Sequence, residues 1–313
     1  TATAVPPTPT AVPPTPSPMP PTDTPEPEAW VQLADMPYTV AGAAVVAMDG
    51  KLYAFGGKAP DGASSAVQIY DPQSASWTEG AAMPTPRLNL AAGVVDGKVY
   101  TFGGAPNTNA ELALSTIEVY DPASDSWEQL EDMPTPRSGL QAHVVDGVIY
   151  AFGGDADCFC SVAAYDPATG SWEDRSDMPT SRMGGASALV DGRVYLFGGF
   201  PPPNAFTPVV DVYDPETDTW TQVASLPTSR YQLTGTAFEG RAYAISGNKA
   251  IMIDTAAVEI YDPATDTWEV GPDFPKPRHL LSATSLDGSL YVLGGAVVGL
   301  DDQPTPGVFV YTP

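Results

Sequence analysis

The chain has 313 residues, enough for one large all-β domain or two ordinary domains. Its 38 acidic and 13 basic residues give a formal net charge of -25, which repels phosphate backbones and anionic lipid and excludes nucleic acid as an expected partner. No apolar run approaches the ~18 residues of a membrane span, and Thr1 is not followed by the segments of a signal peptide. We expect a secreted protein, extracellular or at the cell surface, and any signal peptide has then been removed or left out of this chain.

A Thr/Pro-rich tail occupies residues 1–28, and we expect the folded domain to occupy residues 29–313. Within the tail, the heptapeptide of residues 3–9 (TAVPPTP) recurs without change at residues 10–16. Proline fixes φ, lacks an N–H donor and pushes the preceding residue into extended geometry, so a helix and a central strand are both excluded. We expect an extended polyproline-type tail, which at about 3.1 Å per residue reaches roughly 85 Å.

Two interpretations of the tail are open. It is either an inert stalk with O-glycosylated threonines that holds the domain off a surface, or a strap that docks on a neighbouring copy and builds a filament. In the second interpretation, aromatic residues would line the receiving groove. The contacts would come from both copies of the Val-Pro-Pro sequence: Val5, Pro6, Pro7, Val12, Pro13 and Pro14.

A repeat of about 50 residues fills the rest of the chain. The tryptophans stand 45 to 50 residues apart, at Trp30, Trp77, Trp127, Trp172, Trp220 and Trp268. Glycine pairs mark a second position of the repeat: Gly56-Gly57, Gly103-Gly104, Gly153-Gly154, Gly198-Gly199 and Gly294-Gly295, with Ser246-Gly247 in the fifth unit. These two sets of marks predict six structural units.

The second unit shows the elements that we expect in each of them. After Met83-Pro84, a strand over residues 91–95 leads into the turn Asp96-Gly97, which supplies the positive φ angles of a two-residue hairpin. A second strand over residues 98–102 ends at the glycine pair, a third ends at Tyr120-Asp121-Pro122, and the fourth carries the tryptophan. Four short antiparallel strands in about 50 residues predict a propeller blade rather than a solenoid turn.

The glycine pair, the Tyr-Asp-Pro sequence and the tryptophan at these offsets resemble the kelch repeat over residues 30–313, whereas the Gly-His and Trp-Asp marks of WD-type propellers are absent. The resemblance implies an all-β, six-bladed, kelch-like β-propeller. The last unit ends one strand short, and Trp30 to Leu33 precede the first Met36-Pro37. We therefore expect the N-terminal strand to complete the sixth blade as its outermost strand, which removes a free edge at the seam of the ring.

The two faces of the propeller follow from the alternation of strand direction. The acid-Gly and Tyr-Asp-Pro turns share one face, which we call the turn face, and the loops after the glycine pairs lie on the other, the loop face. The loops that vary most span residues 105–115, 200–208, 248–257 and 296–307. Variable loops on a rigid scaffold commonly carry function, and the apolar runs at Phe200-Pro201-Pro202-Pro203 and Ile251-Met252-Ile253 favour protein contact over sugar contact.

Five of the eight arginines occupy one position of the repeat, at the entry to the innermost strand. They are Arg87, Arg137, Arg182, Arg230 and Arg278, and Val40 holds the position in the first unit. Two explanations fit this ring. Either each guanidinium binds neighbouring carbonyls or carboxylates and locks adjacent blades, or the five together form an anion-binding mouth over the central channel.

The two cysteines, Cys158 and Cys160, are separated by one residue. A zinc site would need two more thiolate or imidazole ligands, and the chain has only His143 and His279, so we expect no metal and no cofactor. Because closely spaced cysteines fit disulfide geometry poorly, a strained disulfide and two free thiols both remain open.

Enzymatic roles follow only from the family resemblance. Some kelch-like proteins are copper oxidases, which need imidazole and phenolate ligands at the channel; we expect His279 to line it and His143 to lie further along another innermost strand, which is not an adequate set. Others are sialic-acid mutarotases, and the arginine ring and secreted character permit such an isomerase, or a lectin, on a stalk. That carbohydrate-active propeller is the alternative interpretation.

Our preferred interpretation is an extracellular, non-enzymatic interaction or structural protein without catalytic residues. Its partner would be protein, namely other copies of itself, with a glycan as the second choice. The tail of one copy would dock on the next propeller, and such a heterologous contact builds open filaments unless it closes.

Overall fold

The structure is a computed structural model that describes residues 30–109, 112–155, 157–201, 205–298 and 303–313. Within these residues, six four-stranded antiparallel sheets form the blades, which confirms the predicted all-β, six-bladed propeller. None of the helices in the described part of the chain is long and apolar enough to cross a membrane. The tail positions Val5, Pro6, Pro7, Val12, Pro13 and Pro14 lie outside the described residues.

The first three blades have the following strands, in order from the channel outward. Blade 1 consists of Ala44–Met48, Lys51–Phe55, Val67–Asp71 and Ser76–Gly80. Blade 2 consists of Ala91–Val95, Lys98–Phe102, Ile117–Asp121 and Ser126–Gln129. Blade 3 consists of Gln141–Val145, Val148–Phe152, Val162–Asp166 and Ser171–Arg175.

The last three blades follow the same order. Blade 4 consists of Ala186–Val190, Arg193–Phe197, Val210–Asp214 and Thr219–Val223. Blade 5 consists of Thr234–Phe238, Arg241–Ile245, Val258–Asp262 and Thr267–Val270. Blade 6 consists of His279–Leu286, Ser289–Ala296, Val308–Tyr311 and Trp30–Gln32. Two short hairpins lie in loops of blades 1 and 5: Lys58–Ala59 with Gly62–Ala63, and Asn248–Ala250 with Ile253–Asp254.

The first hairpin of each blade has the turn that the acid-Gly sequence predicts. In blade 2, Asp96 has a φ of 49° and Gly97 a φ of 71°, and the register pairs Val95 with Lys98 across them. Positive φ at both central residues defines the type I′ turn, whose twist matches that of the flanking strands. The same combination recurs at the corresponding turn of every blade.

Aromatic side chains fill the space between adjacent blades. Phe55 of blade 1 meets Trp127 of blade 2 edge to face, with ring centroids 5.8 Å apart. The same contact recurs around the ring: Phe102 with Trp172, Phe152 with Trp220, and Phe197 with Trp268. The tryptophans that reveal the repeat are therefore contacts between blades, and the core consists of clusters that draw on neighbouring sheets.

In five of the six blades, the tryptophan also joins the outermost strand to the chain that leaves the preceding blade. Trp127 Nε1 donates to Ala81 O at 2.7 Å, while Asp125 accepts from Ala81 N and from the Tyr120 hydroxyl. Blades 4 and 5 repeat the arrangement with Asp218 and Asp266. In blade 3, where Gly170 stands in place of the aspartate, Trp172 Nε1 has no acceptor among the described residues.

A nearly complete ring of main-chain hydrogen bonds surrounds the channel on the loop face. Two residues after each arginine position, the chain takes a positive φ, at Gly42, Asn89, Gly139, Gly184, Gln232 and Leu280. The N–H of one such residue donates to the carbonyl of the next around the ring in five of the six steps, for example Asn89 to Gly42 at 2.7 Å. The first strands then follow in cyclic order and enclose the channel.

The N-terminal strand lies at the seam of the ring. Trp30–Gln32 pairs with Val308–Tyr311, with Trp30 opposite Tyr311 and Gln32 opposite Phe309. In the same sheet, Tyr311 lies opposite Leu290, beside the Asp287-Gly288 turn. Trp30, the first described residue after the tail, therefore lies at the turn face rather than at the loop face.

We predict that removing the Trp30 side chain destabilises the seam. Its indole donates to Pro272 O at 3.1 Å and packs against Phe274 and Tyr311, with centroids 5.2 and 5.3 Å away. Truncating a packed tryptophan costs about 3 kcal/mol, so Trp30→Ala should lower the free energy of unfolding in urea by that amount. Val31→Ala is the control, because Val31 is 55% exposed in the same strand. Equal stability of Trp30→Ala and the unaltered chain would contradict the seam.

Candidate functional site

The five arginines of the predicted ring lie inside the blades. Their side chains are at most 5% exposed, and none of them lines the channel. Arg87 donates from Nη1 to the carbonyls of Gly103 and Thr116, and from Nη2 to Thr101 Oγ1 and Glu118 Oε2 at 2.8 Å each.

The other arginines follow the same plan with local changes. Arg230 pairs with Glu259 at 2.8 Å, and Arg182 pairs with Asp211. Arg137 donates to two carbonyls and lies 3.9 Å from Asp155. Arg278 has no acid within ion-pair distance among the described residues; it donates to Gly294 O and Thr305 Oγ1, and its guanidinium lies 5.2 Å from the Phe309 ring centroid.

The main chain of the same arginines reaches the neighbouring blade. Gly57 N of blade 1 donates to Arg87 O, while the Arg87 side chain binds blade 2. Gly104, Gly199 and Gly247 make the corresponding bonds to Arg137, Arg230 and Arg278, and Gly295 N donates to Val40 O at the seam. We call each arginine with its carbonyl and carboxylate partners an arginine clamp.

The glycine pairs are required where the chain passes an arginine carbonyl. A Cβ atom at Gly103, which has a φ of 57°, would lie 2.3 Å from Arg137 O. Ser246 takes the equivalent place in blade 5 with a φ of 56°. Its buried hydroxyl accepts from Arg278 N at 2.9 Å and lies 2.8 Å from Thr255 O and from Arg278 O. Ser246, the one residue at this position that is not glycine, is therefore stabilised by its own hydrogen bonds.

These contacts do not support an anion-binding mouth. Every guanidinium donates from Nη1 inside a blade, and those of Arg87, Arg182 and Arg230 donate from Nη2 as well. Burial lowers the pKa of Arg230 and of Arg278 to about 10. Both arginines stay charged at neutral pH; Glu259 neutralises Arg230, and Arg278 is held by Gly294 O, Thr305 Oγ1 and the Phe309 ring, so neither is offered to a ligand. The locking of adjacent blades is the role that the geometry favours.

The two cysteines form a disulfide in the structure. The bridge closes the short loop of blade 3, where Cys158 N and Ser161 N donate to the buried Asp155 carboxylate. Phe159 O accepts from Arg182 N at 3.0 Å, so this loop rests on an arginine clamp. Among the described residues, no cluster of three or more histidine, cysteine or acidic side chains could hold a metal ion.

The central channel encloses about 430 Å³ and is lined by the six first strands. His143 is the one titratable side chain among the described residues that line it. Its Nε2 lies 2.8 Å from Ser187 Oγ, and Ser187 donates to Gln141 Oε1 at 3.1 Å. With that proton committed to Gln141, the serine oxygen accepts from the imidazole, so this pair is not arranged as a nucleophile and its base.

An apolar cleft opens on the loop face above blades 4, 5 and 6. We call it the loop-face cleft; it encloses about 300 Å³ and is lined by Met183, Phe200, Phe206, Tyr231, Gln232, Asn248, Ile251, Met252, His279 and Val298. The rings of Phe206 and Tyr231 stack with centroids 5.7 Å apart, and Phe200 meets Phe206 edge to face at 6.2 Å. The predicted apolar loops therefore converge on one site.

The expectation that His279 lines the channel is wrong. The positive φ of Leu280 breaks the alternation of the strand, so Leu280 borders the channel and His279 faces the loop-face cleft. His279 Nδ1 lies 3.0 Å from Asp254 Oδ1, and because a carboxylate only accepts, Nδ1 carries the proton.

Comparison with known proteins supports the fold. The family described as "KLHDC2/KLHL20/DRC7 Kelch-repeats domain" matches residues 23–178 and again residues 131–295. A solved structure titled "Structure of YjhT" is similar, with a TM-score of 0.78 and 18% identity over 90% of this chain and 97% of that chain. At that identity the likeness shows the fold alone. In total, 1069 chains of known structure match, so function must be argued from the site. No curated protein matches.

We predict that the arginine clamp of blade 2 contributes strongly to stability. Arg87→Met leaves the fully buried Glu118 carboxylate without its cation, which costs about 3–5 kcal/mol. The double variant Arg87→Met/Glu118→Leu should recover part of that loss, because no charge is then left unpaired. Urea unfolding followed by tryptophan fluorescence measures both. A loss below about 1 kcal/mol for the single variant, as for a solvent-screened surface pair, would contradict the clamp.

We also predict that His143 makes the free energy of unfolding fall as the pH decreases below 6.5. Desolvation lowers the pKa of His143 from 6.5 to about 4, so the folded state favours the neutral ring. This stability is complete above pH 6.5 and decreases as the pH falls towards 4, by about 3 kcal/mol in total. The free energy of unfolding of His143→Gln should therefore fall less steeply over this range than that of the unaltered chain. Parallel profiles from urea titrations at several pH values would contradict the prediction.

Proposed function

The chain belongs to the kelch-repeat family, and we propose that it is a non-enzymatic interaction protein that joins copies of itself through its tail. Kelch propellers generally bind proteins. The observation that carries the proposal is an exposed apolar surface on the face opposite to the tail. Among the seven large apolar side chains that are exposed in the described residues, Ile251, Met252 and Ile253 are consecutive.

The position of Trp30, where the tail is attached, supports a head-to-tail arrangement. The chain enters the propeller at the turn face, where Trp30 lies beside the Asp287-Gly288 turn. The apolar loops lie at the other end of the blades, where His279 begins the innermost strand of blade 6. A tail leaving one copy from its turn face and meeting the loop face of the next repeats the same contact in one direction, which gives an open filament.

The charge distribution is consistent with this arrangement. Residues 1–22 contain no acidic or basic side chain, whereas the whole chain has a formal net charge of -25. Two acidic propellers repel each other at short range, but an uncharged tail approaches an acidic surface without that penalty.

We place the protein outside the cytoplasm in this proposal. A disulfide such as Cys158–Cys160 persists in oxidising compartments and is rare in the cytosol. A Thr/Pro-rich segment at the end of an acidic domain is also typical of secreted stalks and spacers.

The alternative function is a carbohydrate-active propeller on an inert stalk. An isomerase of that kind needs acids or arginines at its site, and among the described lining residues of the channel only His143 titrates. The two functions differ in what the tail does. Isomerase activity towards a sialic acid would survive deletion of the tail, and assembly would not.

The test is particle size, measured by light scattering and negative-stain microscopy on the full chain and on a chain that starts at Glu28. We expect large particles or filaments from the full chain and monomers from the shortened one. Circular dichroism and the urea midpoint are the controls for folding, since every described blade contact lies within residues 30–313. Particles of the same size from both chains would overturn the proposal, and sugar-isomerase assays would follow.

A further inference from the structure

We propose that the loop-face cleft is the receptor for the tail and takes the Val-Pro-Pro sequences of a second copy. This inference rests on the proposed function and assigns it a site. The occupant is residues 3–16 of the neighbouring chain, which hold both copies of the TAVPPTP heptapeptide.

The chemistry of the cleft fits a polyproline II ligand. Proline-rich segments dock in grooves lined by aromatic side chains, which accept the flat faces of the pyrrolidine rings. Phe200, Phe206 and Tyr231 supply three rings within 6.4 Å of one another. Beside them, Gln232 and Asn248 also line the cleft. A side-chain amide has two N–H donors, so Asn248 Nδ2, which donates one to Asp254, keeps a second for a carbonyl that a polyproline II backbone leaves without a partner.

A buried carboxylate holds the cleft in shape. Asp254 accepts from Asn248 Nδ2 at 2.7 Å, from His279 Nδ1 at 3.0 Å and from Val298 N at 2.9 Å. These partners come from the blade 5 hairpin, from the start of the first strand of blade 6 and from the blade 6 loop. The hairpin that carries Ile251 and Met252 is thus fastened to the next blade, and a preformed groove lowers the ordering cost of binding.

The exposure of the hairpin tip indicates that something covers it. Ile251 is 84% exposed and Met252 is 59% exposed, although both line the cleft. The ten described lining residues include no acidic and no basic side chain except His279. An uncharged, apolar segment matches this lining, and residues 1–22 are the stretch of this chain that has those properties and no described place in the propeller.

The second copy, rather than the same chain, is the source of the segment. Trp30, to which the tail is attached, lies at the turn face, and the strand that Trp30 begins runs from there towards the loop face. To reach its own cleft, the tail would have to reverse around the rim of the propeller. Residues 17–29 contain five prolines, which favour extended backbone in this part and oppose a sharp reversal.

The first experiment compares full-length variants that alter the cleft surface. Ile251→Ser/Met252→Ser changes two exposed side chains and should leave folding intact, whereas Val270→Ser is the matched control, since Val270 is 83% exposed on the outermost strand of blade 5. We expect the concentration needed for assembly to rise about tenfold or more in the double variant, the equivalent of about 1.4 kcal/mol, and to stay unchanged in Val270→Ser. The shortened chain that starts at Glu28 is measured beside them.

The outcomes separate the inference from the proposed function. If the shortened chain fails to assemble and the double cleft variant assembles like the unaltered chain, the cleft is not the receptor, although the tail remains the strap. If the full chain is monomeric, or the shortened chain still assembles, both proposals are overturned.

A cysteine pair identifies the occupant directly. Two single variants, Val12→Cys and Ile251→Cys, are mixed under mild oxidation, with Val12→Cys and Val270→Cys as the control mixture. We expect a disulfide-linked heterodimer, verified by mass spectrometry of the linked peptides, from the first mixture only. Equal linkage in both mixtures would overturn the assignment. The double variant Val12→Cys/Ile251→Cys tests whether the tail folds back onto its own cleft. An intramolecular disulfide in this variant, without any linkage in the first mixture, would overturn the assignment too.

Discussion

The buried arginine clamp is the interaction on which the rest of the ring depends. At Arg87, Arg137, Arg230 and Arg278, the arginine carbonyl accepts from the glycine pair of one blade while the guanidinium donates to carbonyl groups of the next. Four of the five arginines, all but Arg278, also have a carboxylate within ion-pair distance among the described residues. A charge buried in this way is stable only while all its partners are in place. The clamp therefore fixes two segments together: the entry to the first strand and the start of the loop that follows a glycine pair. Val40 makes only the main-chain half of the contact, and the N-terminal strand completes the seam beside it.

The two faces of the propeller differ because the clamps fix only the start of each loop that follows a glycine pair. On the turn face, each first hairpin is closed by the same two-residue turn with positive φ at both positions, which leaves no room for variation. On the loop face, the clamps join the blades, so the loops between them are free to differ in length and composition. The loops of blades 4, 5 and 6 together line one apolar cleft, whereas the blade 3 loop is short and closed by a disulfide.

The fold could be predicted from the sequence because its marks are conformational requirements. Acid-Gly turns and glycine pairs stand where positive φ or close approach excludes most other residues, so their spacing gives the blades directly. The site could not be predicted to the same depth. An arginine at the entry to an inner strand fits either the channel or the blade, and only burial distinguishes the two. The strand pattern misplaces His279 because the positive φ that turns it away from the channel falls on Leu280, a residue type that gives no signal of it. The glycines and the asparagine at the equivalent positions of blades 1 to 4 are the signal that could have revealed the turn.

Electrostatics also favours a strap over direct contact between propellers. Two copies of a chain with a formal net charge of -25 repel each other whenever their surfaces come within the Debye length of about 8 Å at physiological salt. In the proposed assembly, an extended tail over residues 1–28 would reach roughly 85 Å, and so would join two copies while holding most of their acidic surfaces beyond that range. Only the uncharged segment and the apolar cleft then have to meet. The acidic residues Asp23, Glu26 and Glu28 all stand in the part of the tail nearest its own propeller in sequence, which agrees with the proposed arrangement, since there they would not have to enter the cleft of the next copy.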